Sequence, residues 1–119
     1  MTTDYRIGDE LEPLQIWWTA SGELVDFSIP HTYAARLIAA GDSTGTNVFG
    51  TDKTTGFTGA LGSGTKANGV PNLTVVWATS GELNSVTADG LYILQIVATR
   101  VFDGRERTLQ TRLQMLTRF

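Results

Sequence analysis

No cysteine occurs among the 119 residues, so no disulfide holds the fold, and thiolate metal sites and cysteine nucleophiles are excluded. A single histidine, His31, rules out a multi-histidine metal site. No apolar run approaches the roughly 20 residues that a transmembrane helix needs. The opening MTTDYRIGDE is polar and acidic, without the basic and apolar regions of a Sec-type signal peptide, so the expectation is synthesis in a cytoplasm and no membrane partner. Charge is sparse: 18% of residues are charged and the net charge is −3, which disfavours wholesale nucleic-acid binding. The apolar content, 41% of the chain, is that of a globular protein, and the length fits a single domain, residues 1–119, with one core.

What is present is organised around a hairpin near the C-terminus. Asp103-Gly104 separates two long runs rich in β-branched and apolar residues, YILQIVATRVF and RERTLQTRLQML. Asp-Gly between alternating hydrophobics predicts a two-residue type I′ turn, because that turn needs φ > 0 at both central positions. Phe102 then faces Arg105. Tyr92, Leu94, Ile96 and Ala98 lie opposite Met115, Leu113, Thr111 and Leu109 on one apolar face, and Arg100 lies opposite Arg107. Such a face needs a second sheet to cover it.

Upstream, Asp4–Asp9 reads as a short entry strand ending at Gly8-Asp9. Leu14, Ile16 and Trp18 alternate with Gln15, Trp17 and Thr19, and Pro13, which lacks a ladder donor, means that the strand begins at or after it or lies near an edge. Ser21-Gly22 is a turn, followed by Leu24-Val25-Asp26-Phe27. His31–Ala40 has helix-forming alanines and leucines, but in a β context it reads as a strand. Residues 41–69 hold 8 of the 13 glycines, which predicts a long loop, mobile in the free protein, with short strands near Asn47–Thr51 and Gly56–Leu61. Asn72–Thr79 is a strand with Leu73, Val75 and Trp77 on one side, turned at Ser80-Gly81, and Asn84–Asp89 leads into the hairpin. LQIWWTASGEL and LTVVWATSGEL, 59 residues apart, echo each other as strand, inward Trp and Ser-Gly-Glu-Leu turn. Two similar strands or a duplicated half-sandwich would both produce that echo. Short strands, regular turn signals and no convincing long helix predict an all-β, immunoglobulin-like antiparallel β-sandwich, with the long C-terminal hairpin and a glycine-rich loop insert.

The order Ile7-Gly8-Asp9, Ser21-Gly22-Glu23-Leu24-Val25-Asp26-Phe27, Gly90-Leu91-Tyr92 and Phe102-Asp103-Gly104 resembles the immunoglobulin-like N-terminal domain of tailed-bacteriophage baseplate upper proteins and related small virion proteins. Members carry a "GD" entry, a "dG-x-x-vDL" hairpin, a "G-x-Y" strand and a "dG" final turn. This chain departs from them in Phe27, where Leu is usual, and in its glycine-rich insert. The resemblance implies a structural virion protein of tail, baseplate, neck or capsid surface, made in the host bacterial cytoplasm. Its implied partners are other virion proteins and copies of itself, with no cofactor.

The residue constellations carry little catalytic chemistry. Gly59–Lys66 has glycines and a lysine, but the order is Gly-Thr-Lys, and Gly69-Val70-Pro71 forbids the helix a phosphate loop requires. Asp26, Ser28 and His31 hold the residue types of a hydrolase triad within six residues, a spacing at which side chains rarely converge. Asp9, Glu10 and Glu12 form an acidic edge without a calcium-loop pattern, so no metal site is expected, and Asn72-Leu73-Thr74 is a glycosylation sequon in form only. The expected function is therefore non-enzymatic, through protein contacts. Its candidate residues are Arg100, Arg105 and Arg107 at the hairpin tip, outward-pointing Trp17, and loop anchors Phe49 and Phe57. The alternative is a carbohydrate-binding or adhesion module using Trp17 and the glycine-rich loop. Residues 1–26 hold six carboxylates against one arginine, while residues 100–119 hold five arginines against two carboxylates. Either Asp103 and Glu106 answer the facing arginines locally, or the tip meets acidic residues of the next copy's N-terminal segment or of another virion protein.

Overall fold

A computed structural model of the protein describes residues 2–6, 13–65, 68–77 and 90–116, with side-chain environments defined for residues 13–65, 68–77 and 90–114. The expected turns at Gly8-Asp9 and Ser80-Gly81, the acidic edge Asp9/Glu10/Glu12 and the Asn84–Asp89 lead-in lie outside the described residues. The described residues form nine strands and no helix: β1 Thr2–Arg6, β2 Leu14–Ile16, β3 Thr19–Ala20, β4 Glu23–Leu24, β5 His31–Ala39, β6 Phe57–Gly59, β7 Leu73–Val75, β8 Gly90–Arg100 and β9 Glu106–Leu116. A four-stranded sheet has the order β1-β9-β8-β5, a three-stranded sheet the order β2-β7-β6, and β3-β4 is a separate ribbon. All pairings are antiparallel except β1 on β9. His31–Ala39 is a nine-residue strand against β8, because pairing with a long neighbour outweighs the helix propensity of its alanines and leucines.

The hairpin of β8 and β9 exists, but its register differs from the expected one by two residues. Tyr92 faces Leu113, Leu94 faces Thr111, Ile96 faces Leu109 and Ala98 faces Arg107. The turn is a four-residue loop, Val101–Gly104, closed by Arg100 N donating to the Arg105 carbonyl (2.9 Å) and Gly104 N donating to the Arg100 carbonyl (2.8 Å). Only Gly104 of the Asp-Gly pair has positive φ, at 70°, so the type I′ condition fails at Asp103. The condition is met instead at Ser21-Gly22 (φ 54° and 81°), which joins β3 to β4 with a two-residue loop. A two-residue slip preserves which face each side chain occupies. Leu94 and Leu113 are accordingly fully buried, on the face expected for them.

One hydrophobic core draws on both larger sheets: Ala35, Leu37, Leu94, Ile96 and Leu113 from the four strands, Leu14, Ile16, Leu73 and Val75 from the three, and Trp18, Phe27 and Trp77 beside them. Tyr92 joins this core, whereas Leu109, expected within it, is only half-buried against its edge. Among the described residues, Asn72 is the one fully buried polar side chain. Its Oδ1 accepts from Trp18 N (2.8 Å), and its Nδ2 donates to the Trp18 and Val25 carbonyls (2.8 Å each). Burial with these bonds also removes the sequon from reach of modification in the folded chain.

The glycine-rich segment is hydrogen-bonded to its surroundings at several points. Its second expected strand is β6, but residues 47–51 form a turn rather than a strand. Val48 N donates to the Leu37 carbonyl (2.7 Å), and Lys53 exchanges both backbone bonds with Ala35 (2.8 Å each), so the segment covers the open edge of β5. Glycine is required at Gly59 by close approach: a Cβ there would lie 2.3 Å from the Phe27 carbonyl oxygen.

Candidate functional site

Strand alternation explains where the hairpin arginines go. Tyr92, Leu94, Ile96 and Ala98 point into the core, so Arg100, next in that row, occupies the same face where the core stops. His31 is its partner on β5, Arg105 lies across from it on the other side, and Arg107 faces buried Ala98. The inward face of the four-stranded sheet therefore ends in a row of cationic and imidazole side chains. The β3-β4 ribbon and the segment after it close over this row, adding Glu23 and Asp26. The result is a cleft of about 190 Å³ lined by Glu23, Asp26, His31, Arg100, Arg105 and Arg107 among others.

The expected clash of Arg100 with Arg107 does not occur, because the register puts Ala98 opposite Arg107. Arg100 is instead answered locally. Its Nε donates to Asp103 Oδ1 (2.9 Å), its Nη2 to Oδ2, and its guanidinium stacks on Phe102, 4.6 Å from the ring centre. Asp103 also accepts from Arg105 N (3.1 Å). The Arg100 bonds, joined by that amide, hold the Asp103 carboxyl down at about 2. Val101 N donates to the Pro30 carbonyl (3.1 Å), tying the tip to the chain ahead of β5. Among the described residues, the Arg105 and Arg107 guanidiniums and the Glu23 carboxylate have no ion-pair partner.

Asp26, Ser28 and His31 do come close, but they are not wired as a triad. Ser28 donates its hydroxyl and its amide to Asp26 Oδ1, lowering the Asp26 pKa, with His31 adding a smaller coulombic effect. The His31 Nδ1–H donates to the Ile29 carbonyl (2.6 Å), leaving Nε2 for the cleft. The imidazole packs edge-on to Phe27, with ring centres 5.0 Å apart.

The other three candidate residues lie apart from this cleft. Trp17 is half-buried and its Nε1 donates to the Ser63 carbonyl (3.2 Å), so the indole edge is tied to the glycine-rich segment. Phe49 and Phe57 turn inward onto the core, Phe49 beside Trp77 (6.4 Å) and Phe57 stacked on Tyr33 (5.2 Å). Lys53, buried beneath them, holds its ammonium 5.7 Å from the Phe57 ring and 5.5 Å from that of Trp77. Glu23 was not a candidate in the sequence, and His31 stood out only as a member of the triad-like set with Asp26 and Ser28. The alternation that carries Ala98 to Arg100 would have located the cleft, but pairing it with Glu23 required the tertiary fold.

Comparison with protein families, curated sequences and solved structures found no match to this chain.

Proposed function

We propose that this chain is a non-enzymatic assembly module: an immunoglobulin-like β-sandwich that binds copies of itself and neighbouring proteins in a tailed-phage particle. The observation that carries the assembly role is the hairpin tip. A hydrogen-bonded turn presents exposed Val101 and Phe102 beside Arg105 and Arg107, which make no ion pair among the described residues. Aromatic and arginine side chains on a preorganised support are what protein-binding hot spots are made of. Placement in a phage particle is supported by the turn motifs, of which Ser21-Gly22, Tyr92 and Asp103-Gly104 lie within the described residues. The sandwich is supported by the single core shared between the four- and three-stranded sheets.

Two measurements test this reading. Sedimentation of the purified full chain over a range of concentrations should show a multi-copy species, and mass spectrometry of purified particles should find the chain among their proteins. A monomer at every concentration, together with absence from particles, refutes it.

A further inference from the structure

We infer that the hairpin tip and the arginine cleft together form a two-fold symmetric interface, on which a second copy of this chain docks tip to tip. The inference rests on the assembly reading above and specifies its surface.

A two-fold interface uses the same patch on both partners, so the patch must be complementary to itself. This one is. It carries Arg105 and Arg107 on the hairpin side and Glu23 and Asp26 on the ribbon side of a single cleft. Within one chain these charges leave each other unused: the Arg105 and Arg107 guanidiniums and the Glu23 carboxylate make no ion pair among the described residues. Asp26 spends one oxygen on Ser28. A second copy, turned through a half rotation, brings its carboxylates to these arginines and its arginines to these carboxylates.

The apolar part of such an interface is also present. Phe102 is 72% exposed and Val101 59%, adjacent residues at the end of the longest hairpin. Their exposure is fixed rather than incidental. Arg100 stacks on the Phe102 ring while clamped by Asp103, and the Val101 backbone N donates to the Pro30 carbonyl, which fixes the backbone of the tip. Side chains ordered before binding lose little entropy when a partner covers them. Arginine suits the polar part, since its planar fork pairs with carboxylates in register.

The test is a charge exchange on the full chain, read by sedimentation equilibrium and native mass. Arg105→Glu with Arg107→Glu makes one variant, Glu23→Lys a second and Phe102→Ala a third. All four positions are at an exposed turn, the rim of the cleft or the β3-β4 ribbon, and circular dichroism verifies that each variant folds. Each should weaken wild-type dimerisation by about tenfold or more. Mixing the first two variants should restore a heterodimer, because each then supplies the charge that the other has reversed.

Three outcomes overturn the inference. In the first, wild type oligomerises but the variants keep its mass, which leaves self-association intact and moves it to another surface. In the second, the mixed variants fail to recover the dimer. In the third, wild type stays monomeric and binds anionic vesicles through Phe102, which makes the tip a membrane contact. A monomer throughout also removes self-association from the proposed function.

Discussion

Replacing Asn72 by alanine tests the polar centre of the core. Its side chain makes three bonds of 2.8 Å, to Trp18 N, Trp18 O and Val25 O, and it is fully buried. The Trp18 carbonyl keeps a second donor, Val25 N at 3.0 Å, so it is not orphaned by the substitution. Trp18 N and the Val25 carbonyl each lose the Asn72 bond. Each buried group left unsatisfied costs about 1–3 kcal/mol, which gives a loss of about 2–6 kcal/mol. Against a total of about 5–15 kcal/mol for a domain, that is a large fraction. Urea unfolding followed by tryptophan fluorescence reads it directly, since Trp18 and Trp77 are both buried. With a slope of about 2 kcal/mol/M, the midpoint should fall by about 1–3 M. Asn72→Asp adds a signature that a cavity alone would not give. It replaces two donors with a carboxylate facing two carbonyls in a desolvated site, which raises the folded-state pKa above the unfolded value. The folded state then binds the extra proton, so stability relative to wild type should fall as pH rises through the raised pKa and recover on acidification. A loss under about 0.5 kcal/mol for Asn72→Ala, or a pH-independent deficit for Asn72→Asp, would refute this account of the residue.

Leu94→Ala should cost about 2–5 kcal/mol in the same unfolding assay, because the site is fully buried and ringed by both sheets. Hydrogen exchange should divide the glycine-rich segment: amides of Val48 and Lys53, bonded to β5, exchange slowly, while those of exposed Ser43 and Thr55 exchange fast, and uniform rates would contradict the pairing. The Asp103 carboxyl should titrate at about 2 by NMR and move up towards the ordinary carboxylate range in Arg100→Gln. Because that pKa is depressed on folding, its contribution to stability is present above the unfolded value and lost as pH falls through about 2.

The sheet pattern was legible because alternation is a local property. Leu14, Ile16 and Trp18, Leu73, Val75 and Trp77, and Tyr92 through Ala98 all point where period two sends them. Register was less legible, because it depends on the turn, and the Asp-Gly signal was read as a two-residue loop. Asp103 is more useful to the chain outside the left-handed region, where its carboxylate receives Arg100 and the Arg105 amide. Ser21-Gly22 adopts the tighter turn although serine is a weaker signal for it, since only two residues join Ala20 to its partner Glu23 and both have positive φ. The cleft was half legible. The arginines were visible as a cluster, but Glu23 and Asp26 lie about 80 residues away and meet them only through the packing of the ribbon onto the sheet end.

The internal echo gains a physical meaning from the sheet. β2 and β7, its two strands, are antiparallel neighbours with Leu14 opposite Val75, Gln15 opposite Thr74 and Ile16 opposite Leu73. Equivalent positions of the two copies are thus exchanged about the Gln15–Thr74 pair, as a local two-fold axis would exchange them. Trp18 and Trp77 leave opposite ends of this pair, and both are buried. The symmetry breaks one residue before each strand. The second copy has Asn72 there, which fixes the backbone at Trp18 with its side chain; the first copy has Pro13, which offers no polar side chain to Trp77. At that end the glycine-rich segment supplies Phe49 and the Lys53 ammonium to the Trp77 ring. Asn72 thus holds the backbone of Trp18, whereas the segment contacts the ring of Trp77. Lys53→Met, which keeps an apolar stem and removes the charge, separates packing from all that the ammonium contributes, its attraction to the two rings included. If the charge matters, the variant should lose stability by about 1–2 kcal/mol and lose the slow exchange at positions 48 and 53. Unchanged stability with unchanged exchange would leave the Lys53 backbone pairing with Ala35 and the packing of its stem to hold the segment down.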